Sequence, residues 1–274
     1  MPSFTDQIGR TIVLHHIPRR IISLVPSQTE LLFSLGLDEQ VVGITKFCIH
    51  PASWFRNKPR IGGTKAIDST RIDALQPDLI IANKEENDKL QVETLAGHYP
   101  VWVSDVKTLS DALTMIRSVG TLTGKEAEAR DLANEIDTRF QILSTPSKTS
   151  PAAYLIWYKP WMAAGSDTFI HEMLGYCGFD NAFGDRDRYP QIDTSDLDEL
   201  TSIPDLTILL SSEPYPFRQR HIDEIHKTLP NARILLVDGE LFSWYGSRLL
   251  HAPGYFRQLH ERSSTPPPPE IPTL

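Results

Sequence analysis

The chain has 274 residues, 40% of them hydrophobic and 23% charged, and 27 basic against 35 acidic side chains leave a net charge of −8. This is globular composition, long enough for one large α/β unit or two lobes of roughly 120 residues, and it excludes wholesale disorder. The acidic balance argues against nucleic-acid binding, which needs clustered Lys and Arg, and no apolar run approaches the roughly 20 residues that span a bilayer.

Taken in chain order, the first ten residues contain neither the basic segment nor the apolar run of a secretory signal. A cytoplasmic chain is therefore expected, or a periplasmic one if a signal has been removed. Residues 21–25 read as a buried strand. Pro26 breaks it, and Ser27-Gln28-Thr29-Glu30 has the spacing of a capping box for the helix that Gly36 ends. Strands are expected at 41–45, 78–82 and 101–104, with a helix at 89–96 before the last of them. A long helical stretch from 109 to 143 is punctuated by Gly120 and Gly124, and its second part carries Ala129, Leu132, Ala133, Ile136 and Phe140 at helical spacing. Residues 145–151 read as a linker. Strands at 152–157, 206–210 and 234–237, a helix at 168–176 and a last helix at 247–260 follow, before a proline-rich tail at 266–269.

This alternation predicts α/β architecture. An internal echo sharpens the expectation: the end of a helix, Pro-Asp and a buried strand occur at 72–81 and again at 197–208. Two similar lobes joined by one long helix would explain it.

Catalytic and nucleotide motifs are absent. There is no G-x-x-x-x-G-K-[ST] or G-x-G-x-x-G loop, His171-Glu172 lacks the second His of a zinc-protease helix, and no G-x-S-x-G elbow occurs. The chain is not expected to be an enzyme. What stands out instead is a set of polar and aromatic residues just past the strands, where open α/β sheets bind ligands. Phe47, Cys48 and His50 follow the second strand. In an extended segment Cys48 and His50 would share one face, as a partial metal site or as caps on a metallated macrocycle; the alternative is a packed thiol and a hydrogen-bonded imidazole. Asn83, Lys84 and Glu85 follow the third strand, either as contacts or as a solvated helix start. Trp157, Tyr158 and Trp161 come after a later strand, then Glu213, Tyr215, Phe217 and Arg218, then Trp244 and Tyr245. Aromatics gathered at several strand ends suggest a cleft that stacks on a large, flat ligand. The two cysteines, Cys48 and Cys177, form no C-x-x-C pair.

Several segments together resemble one known family. They are Asp6-Gln7-Ile8-Gly9-Arg10-Thr11-Ile12, Pro18-Arg19-Arg20-Ile21-Ile22-Ser23-Leu24-Val25-Pro26-Ser27-Gln28-Thr29-Glu30, Ile61-Gly62-Gly63, and Arg71-Ile72-Asp73-Ala74-Leu75-Gln76-Pro77-Asp78. Their order and spacing are similar to the helical-backbone solute-binding proteins of ABC importers for cobalamin, haem and iron-siderophores, across residues 4–262, with the cobalamin branch the nearest. The resemblance implies an N-terminal α/β lobe over 1–124, a rigid bridging helix over 125–145, a C-terminal α/β lobe over 146–262 and a tail over 263–274, with ligand held in a cleft between the lobes. It implies cobalamin as the ligand, a ferric siderophore or haem as alternatives, and a corrinoid-handling enzyme or chaperone on the same fold as a further one. No catalytic cofactor is implied.

By position Phe47 matches an aromatic contact of the cobalamin branch, and Trp161 and Trp244 fall near others. Thr64 and Asn83 stand where that branch has aromatics. His50 or Cys48 would approach the metal face, and Arg218 and Arg248 would suit an anionic siderophore. Importer membrane subunits would be the partner, docked through one acid on each lobe, with Asp68 and Asp196 as candidates beside Asp73 and Asp198. A monomer is expected.

Overall fold

The computed structural model describes residues 2–143 and 149–264. Contacts within the chain divide it into two compact units: Met1–Thr138 with Trp244–Leu250, and Arg139–Ser243 with the chain from His251 onward.

The first unit opens with a hairpin, β1 (Ser3–Thr5) and β2 (Thr11–Val13), paired antiparallel with Phe4 opposite Ile12. Then come β3 (Ile21–Ser23), α1 (Pro26–Ser34), β4 (Val41–Ile44), α2 (Ala52–Asn57), α3 (Ser69–Leu75), β5 (Leu79–Asn83), α4 (Lys89–Ala96), β6 (Val101–Ser104) and α5 (Leu109–Thr123). Four of the strands form a parallel sheet in the order β4-β3-β5-β6. Nearly all their residues are fully buried, as expected of a parallel sheet covered on both faces. The order reverses between β3 and β5, so the loops leaving these two strands run to opposite sides at their carboxyl ends, where ligands of open α/β sheets bind.

One local expectation changes. Ser27 is not the helix cap: α1 begins one residue earlier, with Pro26 in its first turn, where the missing N–H breaks no helical bond. Ser27 lies buried inside that turn. At α5 a capping box does form, with Thr108 and Asp111 exchanging side-chain and backbone hydrogen bonds. Gly124 ends this helix at φ +69°, where Lys125 N–H returns to the Gly120 carbonyl.

Next is α6 (Glu126–Ile142), about 25 Å long. Ala129, Ala133, Ile136 and Phe140 are its buried stripe, and the division between the units falls inside it.

The second unit contains β7 (Ser150–Trp157), β8 (Trp161–Ala163), α7 (Phe169–Cys177), β9 (Phe179–Asn181), β10 (Gln191–Ile192), α8 (Thr194–Leu200), β11 (Thr207–Ser211), α9 (Gln219–Thr228), β12 (Arg233–Val237), α10 (Glu240–Ser243) and α11 (Ala252–Ser264). Its sheet runs β10-β8-β7-β11-β12, with β9 beside the start of β7. Strands β7, β11 and β12 are parallel. The antiparallel β8 lies where a fully repeated lobe would carry a parallel strand. The echo is therefore real at α3–β5 and α8–β11, each with a left-handed residue (Gln76, φ 44°; Asp205, φ 57°) beside the proline, and is incomplete at the far edge of the sheet.

The expected linker is shortened, because Ser150 and Pro151 begin β7; residues 145–148 and the proline-rich 266–269 lie outside the described residues. The expected last helix is two elements. A 3-10 turn, Ser247–Leu250, belongs to the first unit, and α11 to the second. Pro253 cannot donate the hydrogen bond that would join them.

Candidate ligand-binding surfaces

In the first unit the carboxyl ends of β3, β5 and β6 carry a buried polar network. Gln28, in the first turn of α1, donates through Nε2 to Ser104 Oγ at 2.6 Å. The Asn83 side chain donates to the Tyr245 hydroxyl, and to Glu86 Oε1 at 3.2 Å. In return Asn83 Oδ1 accepts Glu86 N–H at 2.9 Å. Asn87 closes the loop, accepting from Asn83 N–H and donating to the carbonyls of Leu24 and Thr64. Tyr245 is 4% exposed, and burial, reinforced by the nearby Glu86, holds its phenol above the ordinary range and therefore neutral.

Trp244 sits beside this network with the His50 ring edge-on at 5.7 Å and the Arg248 guanidinium 4.8 Å over its own ring. Arg248 in turn makes a bidentate pair with Glu30, at 2.9 and 2.7 Å. The segment assigned by sequence to the C-terminal lobe thus packs as part of the first unit, and Arg248 is neutralised by a partner rather than offered to an anionic ligand.

The loop after β4 separates the residues expected to act together. Phe47 projects into solvent, 49% exposed, with Lys46 Nζ 5.0 Å from its ring. Cys48 is fully buried. Its thiol is 3.1 Å from the hydroxyls of both Thr29 and Thr45, and burial pushes it up to about 11. A protonated thiol inside the core does not serve as an axial ligand, so this half of the expected metal pair is corrected. His50 is half-buried. Among the described residues no three His, Cys, Asp or Glu side chains group as a metal site. Thr64 is half-buried and holds Asn87 through its carbonyl; Lys84 is exposed and paired with Asp105 at 2.6 Å; Glu85 is half-buried.

In the second unit an aromatic surface gathers past the ends of β7 and β11. Trp157, 40% exposed, meets Tyr215 edge-on at 5.6 Å. Trp161 stacks on Phe217 at 6.0 Å and 3°. Tyr158 touches Trp161, Tyr215 and His221. His221 is buried behind them, 3.1 Å from the Tyr215 hydroxyl, and accepts Arg218 N–H through Nδ1 at 2.9 Å. Arg218 itself is exposed at the start of α9. Glu213 is tied down, accepting from the Ser243 hydroxyl while its backbone engages Ser211 Oγ.

Sequence reasoning missed Gln28, Ser104, Asn87 and His221, although Gln28 carried a signal: a polar residue directly after a buried strand and a proline. Of the docking acids, Asp68 caps α3 and pairs with Arg71 at 3.1 Å. Asp196 is corrected: it is buried in a capping box with Asp193, and the Arg186 guanidinium beside it holds its carboxyl below the usual range. Asp198 and Glu199 are the exposed acids on that helix.

Comparison with known proteins decides the family, since a family model for periplasmic binding proteins matches residues 21–230. The chain belongs to the periplasmic binding protein family. A vitamin B12-binding protein of Pectobacterium atrosepticum is 26% identical over 246 residues, 86% of each chain. The fold matches the solved periplasmic vitamin B12 binding protein BtuF of Vibrio cholerae at a TM-score of 0.74, with 21% identity over 91% of this chain and 99% of that one. It matches the periplasmic heme-binding protein RhuT of Roseiflexus at 0.76, with 20% identity over 90% and 99%. The family comprises ABC-type substrate-binding proteins rather than enzymes, in agreement with the missing catalytic motifs. The expected cytoplasmic location finds no support, because the family is one of periplasmic or extracellular solute-binding proteins.

Proposed function

We propose that this binding protein captures a metal-containing macrocycle, cobalamin first, and delivers it to the membrane subunits of an importer. The observation that carries the reading is the aromatic surface of Trp157, Tyr158, Trp161 and Tyr215 at the strand ends of the second unit, in a chain whose B12-binding relative matches it along 86% of both lengths. A corrinoid offers flat apolar faces and an amide rim. The aromatic rings of the second unit suit those faces. In this reading Tyr245 and Trp244 shape the floor of the first unit's loops from below, and the half-buried Asp68 and the exposed Asp198 serve an importer's basic side chains.

The test is an absorbance titration of the purified protein with cyanocobalamin, aquocobalamin and haemin, with calorimetry alongside. Saturable corrinoid binding at micromolar concentration or tighter is expected, weakened about tenfold in Trp157→Ala. Binding of haemin with indifference to both corrinoids would overturn cobalamin in favour of the second reading, haem or a ferric siderophore. That reading draws on the exposed cations Lys159 and Arg218 next to the aromatic surface, which suit an anionic rim. His50 is the remaining candidate for a metal face; an unchanged spectrum of the complex in His50→Ala would remove it.

A further inference from the structure

His221, in the first turn of α9, lies behind the aromatic surface of the second unit at 1% exposure. Its ring meets Tyr158 at 4.9 Å, Tyr215 at 5.3 Å and Phe217 at 5.3 Å, each edge-on. Those three rings in turn carry the two tryptophans: Trp157 rests on Tyr215, and Trp161 on Tyr158 and Phe217. Every ring of the surface is therefore a neighbour of His221 or one contact removed from it. Both imidazole nitrogens are engaged as well. Nδ1 accepts the Arg218 N–H at 2.9 Å, as the third residue of a helix does in a capping box. Nε2 faces the Tyr215 hydroxyl at 3.1 Å, with Arg220 Nε 3.3 Å away. The other polar tie from α9, Glu224 Oε2 accepting from the Tyr158 hydroxyl at 2.7 Å, is exposed, so water competes for it; His221 is shielded.

We propose that His221 is a positioning residue for ligand binding, an inference that rests on the reading of this surface as the ligand's seat. Without touching the ligand, it holds Tyr215 and Phe217, and through them Trp157 and Trp161, as one preformed face. A ligand that stacks on rings already fixed bears no cost of ordering them. Imidazole suits the task because it combines a flat edge for three aromatic neighbours with polar atoms at both ends. Phenylalanine would strand the Arg218 N–H and the Tyr215 hydroxyl. Glutamine would serve the Arg218 N–H, as it does in capping boxes, but would leave the rings without their central contact. A merely structural histidine would act through the helix cap alone, so glutamine separates the two roles.

Two variants test this. Tyr215→Phe keeps the ring and removes only the hydroxyl that faces His221, and His221→Gln keeps a cap for α9 and removes the imidazole. The chain's five tryptophans give five indole N–H resonances, and those of Trp157 and Trp161 are assigned by their loss in Trp157→Phe and Trp161→Phe. In the ligand-free protein both peaks should shift in each variant, with far-ultraviolet circular dichroism unchanged. For whichever of cyanocobalamin and haemin the wild type binds, affinity should fall about five- to tenfold in each variant. The double variant should bind no more weakly than His221→Gln alone, because both changes act on one contact. Wild-type resonances or wild-type affinity in His221→Gln would overturn the proposal, since the cap alone would then suffice, and so would losses that add in the double variant. Should His221→Gln not fold, Tyr215→Phe decides by the same peaks, and unshifted peaks overturn the proposal. Should the wild type bind neither ligand, the reading of the surface fails, while the resonances still decide whether His221 sets the rings.

Discussion

Cys48 shows how little a residue's identity says without its neighbours. Spacing placed it beside His50, but spacing cannot say which way a loop turns. The loop turns the thiol inward between Thr29 and Thr45, and the imidazole outward to Trp244. The ionisation of Cys48 then becomes a stability statement. Its ordinary value is 9.0 and its folded value about 11. Below pH 9 the thiol is protonated in both states and its contribution is whole. As the pH rises toward 11 the unfolded chain ionises first, so stability is lost, by about 3 kcal/mol in full. Urea unfolding of wild type and Cys48→Ala at about pH 8 and about pH 10.5 checks this: the stability difference between them should shrink at the higher pH, and a constant difference would contradict it. Native protein at neutral pH should also leave Cys48 unreactive to a thiol reagent that labels the denatured chain.

Elements were legible where a period runs unbroken. The strand Val101–Ser104 and the helix Lys89–Ala96 match their expected bounds residue for residue, because hydrophobic run and flanking polar residues agree there. Helix ends were harder, since caps are decided by one hydrogen bond. Thr108→Ala removes the cap of α5 and should lower stability by about 1 kcal/mol in urea unfolding. The corner between α5 and α6 is stricter. A Cβ on Gly120 would lie 2.3 Å from the Cβ of Ala129 and 2.9 Å from the Lys125 carbonyl oxygen. Gly120→Ala should therefore cost about 2–3 kcal/mol through overpacking, despite alanine's better helix propensity. A variant as stable as wild type would show that the two helices separate freely.

At the scale of the whole chain, the first unit is not continuous in sequence. It needs Trp244–Leu250, which supplies Tyr245 to Asn83, Arg248 to Glu30, and Gly246 at a position where a Cβ would lie 2.7 Å from the Ser27 carbonyl oxygen. The fragment 1–143 should consequently lack native near-ultraviolet circular dichroism, because it exposes the network built on Asn83, Ser104 and Gln28. A spectrum like that of the intact unit would show the segment to be dispensable. Arg248→Met should lower stability by about 2–3 kcal/mol, since it strands the partly buried Glu30 carboxylate. The double variant with Glu30→Gln should recover part of that loss.

The sequence by itself determined the α/β class, the order of the main strands and helices, and the absence of catalytic and nucleotide-binding motifs. All of these follow from period, composition and short-range chemistry. It also marked the strand-end loops, because a polar or aromatic residue directly after a buried strand is a local pattern. Only the tertiary structure decided that Cys48 is core, that Asp196 is spent on Arg186 and its own helix cap, and that Trp244–Leu250 belongs with residues two hundred positions earlier. Each of these depends on partners distant in the chain. A side chain's chemistry is set by its neighbours in space, and the spacing along the sequence does not encode which neighbours those will be.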